Sequence, residues 1–177
     1  MSLDISFFNA ISGLAGKSSL LDFLGIFFAS YLGYFLILVF IIFLVLERTW
    51  QKRFYQFALG ALSVILARGL VVEIIRFFYH RPRPGVVLSI ETLIDTPEAF
   101  SFPSGHAAVF FALAMAVYYM NKRLGLWFLI GAALISLARV LVGVHWSSDV
   151  LGGAIFGILS AVLAKKLLAK KATSSIS

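Results

Sequence analysis

The chain has 177 residues, of which 61% are apolar and 13% are charged, and its mean hydropathy is +0.99. A soluble domain of this size is about 45–50% apolar and about 25% charged, so the composition excludes a water-soluble globule, and it equally excludes a disordered chain. There is no cysteine, which excludes disulfides, thiolate metal sites and a cysteine nucleophile. The length predicts a single domain, residues 1–177.

The first apolar stretch, residues 3–12, is too short to cross a bilayer. It predicts a helix that lies in the membrane interface. A cleaved signal peptide is the alternative, but the stretch has no basic residues before it and it carries Asp4.

Longer apolar runs follow, and a helix that crosses the hydrocarbon core needs about 20 such residues. The runs are continuous rather than alternating, which favours helices over a β-barrel. We therefore predict an all-α, polytopic membrane helix bundle of about five transmembrane helices plus the N-terminal interfacial helix. The predicted spans are residues 23–46, 54–79, 104–120, 124–144 and 150–164.

Basic residues predict the orientation of this bundle. They concentrate in the connections after spans one and three and after span five, and the positive-inside rule makes that side the cytoplasm. The N-terminus is then outside and the C-terminus cytoplasmic. Nine of the fifteen basic residues are thereby explained by topology, so the sequence predicts a lipid bilayer as partner and no nucleic acid. These residues are Arg48, Lys52, Arg53, Lys122, Arg123, Lys165, Lys166, Lys170 and Lys171.

Ionisable side chains gather at the opposite, outer end of the predicted helices. Such groups are costly at membrane depth and indicate function. Guanidinium groups bind phosphate oxygens in a bidentate manner, so several of them predict a phosphate-bearing ligand. Arg81 by itself is equally well explained by contact with lipid headgroups. The residues are Arg76, His80, Arg81, Arg83, His106, Arg139, His145 and Asp149.

Local sequence predicts how this end is built. Ser104 is a plausible N-cap, and Gly105 lets a ligand approach the free amides of a helix N-terminus, which form an anion site. His145 and Asp149 are four residues apart, a spacing that allows the carboxylate to orient the imidazole. Two histidines and an aspartate can also hold a metal ion, but the neighbouring positive charges argue against a cation. We therefore predict no metal and no cofactor.

The pattern resembles the type 2 phosphatidic acid phosphatase superfamily. Residues 103–106 match its Pro-Ser-Gly-His motif, residues 139–149 match its Arg-x5-His-x3-Asp motif, and Arg83-Pro84 ends its first motif. Two positions depart from the family pattern: Arg76 stands where the family usually has Lys, and Ala138 where it has Ser. Within the superfamily the chain looks most like bacterial undecaprenyl-diphosphate phosphatases of the bacitracin-resistance type, on residues 9–17, the doubled Arg-Pro and residues 142–153.

This resemblance implies hydrolysis of a lipid phosphate through a phosphohistidine intermediate. His145 would attack phosphorus, Asp149 would orient it, and His106 would protonate the leaving group and then activate water. The phosphoryl oxygens would be held by Arg76, Arg83, Arg139, Ser104 and the Gly105 amide. The site would face outward from a bacterial inner membrane.

Two other functions remain open at this point. One is a phosphatidylglycerophosphate or phosphatidic acid phosphatase, which would share the motifs. The other is a non-catalytic phospholipid-binding or lipid-translocating protein, against which both histidines and Asp149 argue.

Other residues have structural interpretations. The three tryptophans suit interfacial belts, and three glycines of the last span suit close helix packing. Arg68 and Glu73 can pair with each other or with Arg76, and their spacing leaves both pairings open. The tryptophans are Trp50, Trp127 and Trp146, and the glycines are Gly152, Gly153 and Gly157. The sequence does not determine the oligomeric state.

Overall fold

The computed structural model describes residues 2–96 and 100–174, and this part of the chain consists of helices and connecting loops. The prediction of an all-α fold is therefore confirmed. The helices are α1 Ser2–Ser12, α2 Ser19–Ser30, α3 Leu32–Leu46, α4 Trp50–Val64, a π-helical stretch Ile65–Val72, α5 Glu73–Phe78, α6 Pro84–Leu88, α7 Gly105–Met120, α8 Lys122–Leu141 and α9 Ser147–Ser174. The predicted outer loop, residues 80–103, is described except for 97–99.

Three continuous helical segments of the described chain are long and apolar enough to cross a membrane: Trp50–Phe78, Lys122–Leu141 and Ser147–Lys170. A fourth is obtained if α2 and α3 count as one span, although their axes bend by 45° between Ser30 and Leu32. The predicted third span, α7, has 16 residues, which is about 24 Å at 1.5 Å per residue and short of the hydrocarbon thickness. A membrane helix bundle is thus confirmed with three to four candidate spans rather than five.

The short helix α7 is the central element of the bundle. It packs against α9, α8 and α4, and most of its side chains are buried by these neighbours. On the α9 side the approach is close: a Cβ added at Gly153 would lie 2.5 Å from the Ser104 carbonyl oxygen, and one at Gly157 would lie 2.4 Å from that of Ala108. The prediction that these glycines permit close packing is confirmed. Because protein surrounds α7, its length need not match the lipid.

Helix α8 ends at Leu141, three residues before the predicted end of its span at Val144. Gly143 has a φ of +84°, a left-handed conformation that glycine adopts without a steric penalty and that terminates helices. The chain from 142 to 146 is therefore released from the helix and turns back over the outer end. This turn carries His145.

The N-terminal stretch forms a helix, α1, which packs on the same turn. Phe8 is fully buried, and its ring centroid lies 5.1 Å from that of Trp146. The interpretation of Trp146 as an interfacial belt residue is wrong, because it is only 3% exposed and its Nε1 donates to the Pro82 carbonyl at 3.0 Å. The indole therefore joins α1, the outer loop and α9.

Candidate active site

The turn between α8 and α9 buries His145 beneath two arginine-bearing segments. The imidazole is 1% exposed. The backbone N–H of Val144 donates to the carbonyl of Arg139 at 3.2 Å, and Arg83 Nη1 donates to the carbonyl of Val144 at 2.6 Å. Arg83 and Arg139 are themselves buried. The structure thus brings the last turn of α8 and the segment before α6 to the same histidine, as the sequence predicted.

The surroundings of His145 keep its ring neutral. The pKa of His145 is lowered from 6.5 to about 4, chiefly by burial; the hydrogen bond with Asp149 and the charge of that carboxylate oppose the shift, and the charges of Arg83 and Arg139 contribute to it. At neutral pH the ring therefore carries a free lone pair on one nitrogen. A buried, uncharged imidazole between two guanidinium groups is suited to attack an electron-poor centre that carries anionic oxygens.

Asp149, in the first turn of α9, lies beside this imidazole and is fully buried. Its Oδ2 is 3.5 Å from His145 Nδ1 and accepts the backbone N–H of Trp146 at 2.8 Å. The contact with Nδ1 is longer than an ordinary hydrogen bond, as is common for catalytic pairs without substrate. Asp149 therefore faces Nδ1 and leaves Nε2 on the opposite side of the imidazole ring.

The N-terminus of α7 is joined directly to this pair. Ser104 is buried and caps α7, with its Oγ accepting the Ala107 N–H at 3.5 Å, so the predicted N-cap is confirmed. The Ser104 backbone N–H donates to the carbonyl of Asp149 at 3.0 Å. Arg76, on α5, is buried and donates from Nη2 to the carbonyl of Pro103 at 3.2 Å. The Pro103–Gly105 segment is therefore held between Arg76 and the catalytic turn.

Gly105 begins α7 and is buried against Arg68 of the π-helical stretch. A Cβ at Gly105 would lie 2.9 Å from Arg68 Nε, so this position leaves room for the arginine. Arg68 also forms an ion pair with Glu73, one of the two pairings left open by the sequence.

His106 lies in the first turn of α7 and is exposed, unlike His145. It borders a cavity of about 120 Å³, and its ring centroid is 6.4 Å from that of Phe110. The cavity lies where α2 bends into α3, and residues of both helices line it, among them Ala29, Gly33 and Tyr34. His106 thus has access to space beside the bundle.

Sequence reasoning placed Arg81 in the outer ionisable cluster but gave it no role in the site. Its Nη1 donates to Asp149 Oδ1 at 2.7 Å and to Ser148 Oγ at 2.6 Å, and its Nη2 donates to Asp4 of α1. The sequence left a lipid-headgroup contact equally open for Arg81, and the structure gives this side chain three protein partners. The available signal was the doubled Arg-Pro, which places a second guanidinium two residues from Arg83.

The two departures from the family pattern have different surroundings. Arg76 keeps a buried cation at its position, as described above. Ala138 packs in an apolar cluster with Ala29, Val142 and Val144, where a methyl group suits its neighbours. Within the described residues, no group of three or more His, Cys, Asp or Glu side chains is placed to hold a metal ion.

Comparison with known proteins identifies the family. The PAP2 superfamily model matches residues 57–172, which include every site residue discussed except Asp4. The chain belongs to the PAP2 superfamily. It is 32% identical to the undecaprenyl-diphosphatase BcrC of Bacillus subtilis over 89% of this chain and 80% of that protein. It is 28% identical to phosphatidylglycerophosphatase B of the same organism, over 63% of this chain and 60% of that one.

The fold is shared with a solved member of similar size. The crystal structure of Aquifex aeolicus LpxE superposes with a TM-score of 0.78 and 26% identity, covering 94% of this chain and 96% of that one. The protein is therefore a PAP2 membrane lipid phosphatase, a hydrolase of lipid phosphates in a bilayer.

Proposed function

We propose that the protein releases the terminal phosphate of a polyprenyl diphosphate, undecaprenyl diphosphate, at the outer face of a bacterial inner membrane. The observation that carries this proposal is the buried His145, whose pKa is lowered by burial and by the charges of Arg83 and Arg139, with Asp149 at its Nδ1. An uncharged nucleophile among fixed positive charges is the arrangement that an anionic phosphoryl group requires. The similarity to BcrC over most of the chain supports the polyprenyl diphosphate as substrate.

The first step is phosphoryl transfer to His145. Its Nε2 bonds to the terminal phosphorus while the bond from phosphorus to the bridging oxygen breaks, and polyprenyl monophosphate leaves with a proton from His106. Asp149 stabilises the positive charge that forms on the ring. In the second step His106 takes a proton from water, which attacks phosphorus and releases inorganic phosphate and free His145.

The arginines supply the charge for both steps. Arg76, Arg83 and Arg139, with Ser104 and the Gly105 amide, hold the non-bridging oxygens as negative charge shifts in the transition state. Guanidinium groups can do this without a metal ion, and we propose a reaction that is independent of metal.

Contacts at the other end of the bundle support the orientation. Lys165 of α9 lies 4.0 Å from the centre of the Tyr119 ring near the end of α7, and Lys52 of α4 borders a cavity with Met120. The basic connections therefore gather opposite the site. We propose five spans, with α7 as the short one, the basic end and C-terminus in the cytoplasm, and the site outside.

A phosphatidylglycerophosphate phosphatase is the second candidate, favoured by the similarity to phosphatidylglycerophosphatase B. The two functions share the phosphoryl-transfer site and differ in the lipid that must lie beside it. The apolar space next to His106 is narrow, with a volume of about 120 Å³.

The deciding experiment compares phosphate release from undecaprenyl diphosphate, phosphatidylglycerophosphate and phosphatidic acid by the purified protein in detergent. We expect kcat/KM for the diphosphate to exceed the others by about 10-fold or more, the range that a differently shaped apolar site can provide. The His145→Ala variant is the blank, and EDTA should leave release unchanged. Preference for phosphatidylglycerophosphate would favour the second candidate, and loss of activity in EDTA would contradict the metal-independent site.

Topology can be tested directly because the chain has no native cysteine. Val86→Cys on α6 and Gln51→Cys on α4 are matched exposed positions at opposite ends. A membrane-impermeant maleimide should label the first and not the second in intact cells. Labelling of Gln51→Cys alone would reverse the proposed orientation.

A further inference from the structure

The N-terminal helix and the catalytic carboxylate share one guanidinium group. Arg81 bonds to Asp149 and Ser148 through Nη1 and to Asp4 through Nη2. Asp4 also accepts the Ser148 N–H at 3.0 Å and the Ser148 hydroxyl at 2.6 Å. The side chains of Arg81 and Asp4 are 17% and 16% exposed, and that of Asp149 is 0% exposed, so solvent screens this network only weakly. The connection joins residues that are 145 positions apart in the sequence, from Asp4 to Asp149.

We propose that Arg81 and Asp4 are positioning residues for phosphoryl transfer: Arg81 fixes the Asp149 carboxylate against His145, and Asp4 holds Arg81 and offsets part of its charge. This inference rests on the proposed function. Asp4 lies outside residues 57–172, which the family model matches, so this proposed role is not part of the family pattern.

The first step of the argument is geometric. Asp149 is held at both oxygens, Oδ1 by Arg81 and Oδ2 by the Trp146 N–H, so the carboxylate cannot rotate away from His145 without breaking a bond. Trp146 is itself fixed by its bond to Pro82 and by the Phe8 ring. Helix α1 therefore supports the catalytic turn twice, through an apolar contact and through Asp4.

The second step is electrostatic. Asp149 favours the positive charge that forms on His145, while Arg83 and Arg139 oppose it. Arg81 alone would neutralise the Asp149 carboxylate and weaken this effect. Asp4 provides a second carboxylate, so that the Arg81 charge is shared and Asp149 retains negative charge toward the ring.

Asp4 is suited to this role because it stays ionised. Burial raises its pKa, but the hydrogen bonds from Ser148 and Arg81 outweigh burial, and the pKa of Asp4 lies below its ordinary value. The carboxylate is therefore charged throughout the pH range in which the enzyme would work.

The test compares kcat, KM and the pH profile of kcat on the diphosphate for Asp4→Asn, Arg81→Ala and the double variant. Each single change should lower kcat about 10- to 100-fold, as losses of outer supporting contacts do, with KM changed less than about 3-fold. The double variant should be no slower than Arg81→Ala, because Asp4 acts through Arg81.

The acid limb of the pH profile provides a readout that a purely structural role would not move. The acid limb reports the protonation of His145, which removes the nucleophile. In Asp4→Asn the Arg81 charge acts undivided on Asp149, so the imidazolium is less stable and the limb should shift to lower pH. Arg81→Ala removes that positive charge, so Asp149 stabilises the His145 imidazolium more strongly and the acid limb should shift to higher pH. Arg81→Lys keeps the positive charge but loses the planar guanidinium that bonds to Asp149 and Asp4 at once. We therefore expect kcat to fall while the acid limb stays near that of the wild type. This last variant keeps the test usable where Arg81→Ala does not fold.

Matched controls lie elsewhere in the described chain. Asp22→Asn removes a carboxylate that accepts the Gly16 N–H at 2.9 Å, and Arg53→Ala removes a guanidinium that bonds to the Glu47 carbonyl. Both should keep kcat. If Asp4→Asn keeps wild-type kcat and pH profile, the inference is overturned and the proposed function stands. A wild-type protein that releases no phosphate from any lipid would overturn both.

Discussion

His145 and His106 lie at the same end of the bundle in contrasting surroundings. His145 is 1% exposed, faces a carboxylate and lies between two arginines, whereas His106 is exposed and borders a cavity at the bend between α2 and α3. Burial favours a neutral ring with a fixed direction, which a nucleophile needs. Exposure provides access to water and to a departing lipid phosphate, which an acid and base needs. The contrast therefore suits the different roles that we propose for two identical side chains.

The largest expected effect tests the buried member of the pair. His145→Ala should abolish phosphate release, by at least about 10⁴-fold, because the covalent route is lost. Phosphate release and thermal unfolding in detergent are measured together. His80→Ala is the matched control, since His80 is an exposed histidine of the outer loop that packs on Phe100 at 4.4 Å between ring centroids. Near-normal turnover in His145→Ala would contradict its assignment as the nucleophile.

The next effect tests the exposed member. His106→Ala should lower kcat about 10²- to 10⁴-fold, the usual contribution of a general acid and base. The leaving group of an aryl phosphate needs no proton. With this substrate, His106→Ala should release the aryl alcohol at a rate much closer to that of the wild type, whereas His145→Ala should release none. Equal recovery in both variants would remove the distinction between the two roles.

The sequence predicted the members of this site better than their surroundings. Motif spacing identified His145, Asp149 and the arginines, because the helical topology returns these segments to one end. It did not reveal that His106 is exposed and His145 buried, since this depends on the bend at 31 and the early end of α8 at Leu141. The sequence could not predict the Asp4–Arg81 contact, because an acidic residue in a short apolar helix does not indicate which distant residue it contacts.

The arginines sharpen the comparison, because they act on the buried histidine as well as on the phosphate. Arg83→Gln should lower kcat/KM by about 10²- to 10³-fold through loss of one phosphoryl contact. It should also raise the pKa of His145, since one of the charges that disfavour the imidazolium is removed. The measurement is the pH profile of kcat/KM. Arg48→Gln, in the opposite connection, is the control and should change neither quantity.

The smallest expected effect concerns stability, and it distinguishes the two histidines without substrate. The pKa of His145 is about 4 when folded and 6.5 in its ordinary state, so the unfolded chain binds an extra proton between these values. The part of the free energy of unfolding that depends on a neutral His145 is fully present above pH 6.5 and is lost as the pH falls toward 4. From pH 7 to 5 the loss should be about 2 kcal/mol, which lowers the melting temperature by several degrees.

The measurement is unfolding in detergent at pH 7 and pH 5 of the wild type, His145→Asn and His106→Asn. The comparison isolates the contribution of His145 to the pH dependence of stability. His145→Asn should lose about 2 kcal/mol less than the wild type over this interval, because the titrating ring is absent. His106→Asn should keep the wild-type dependence, since His145 still titrates in that variant. The same dependence in all three proteins would mean that His145 is not held neutral, and the nucleophile would then lack the free lone pair on which the reaction depends.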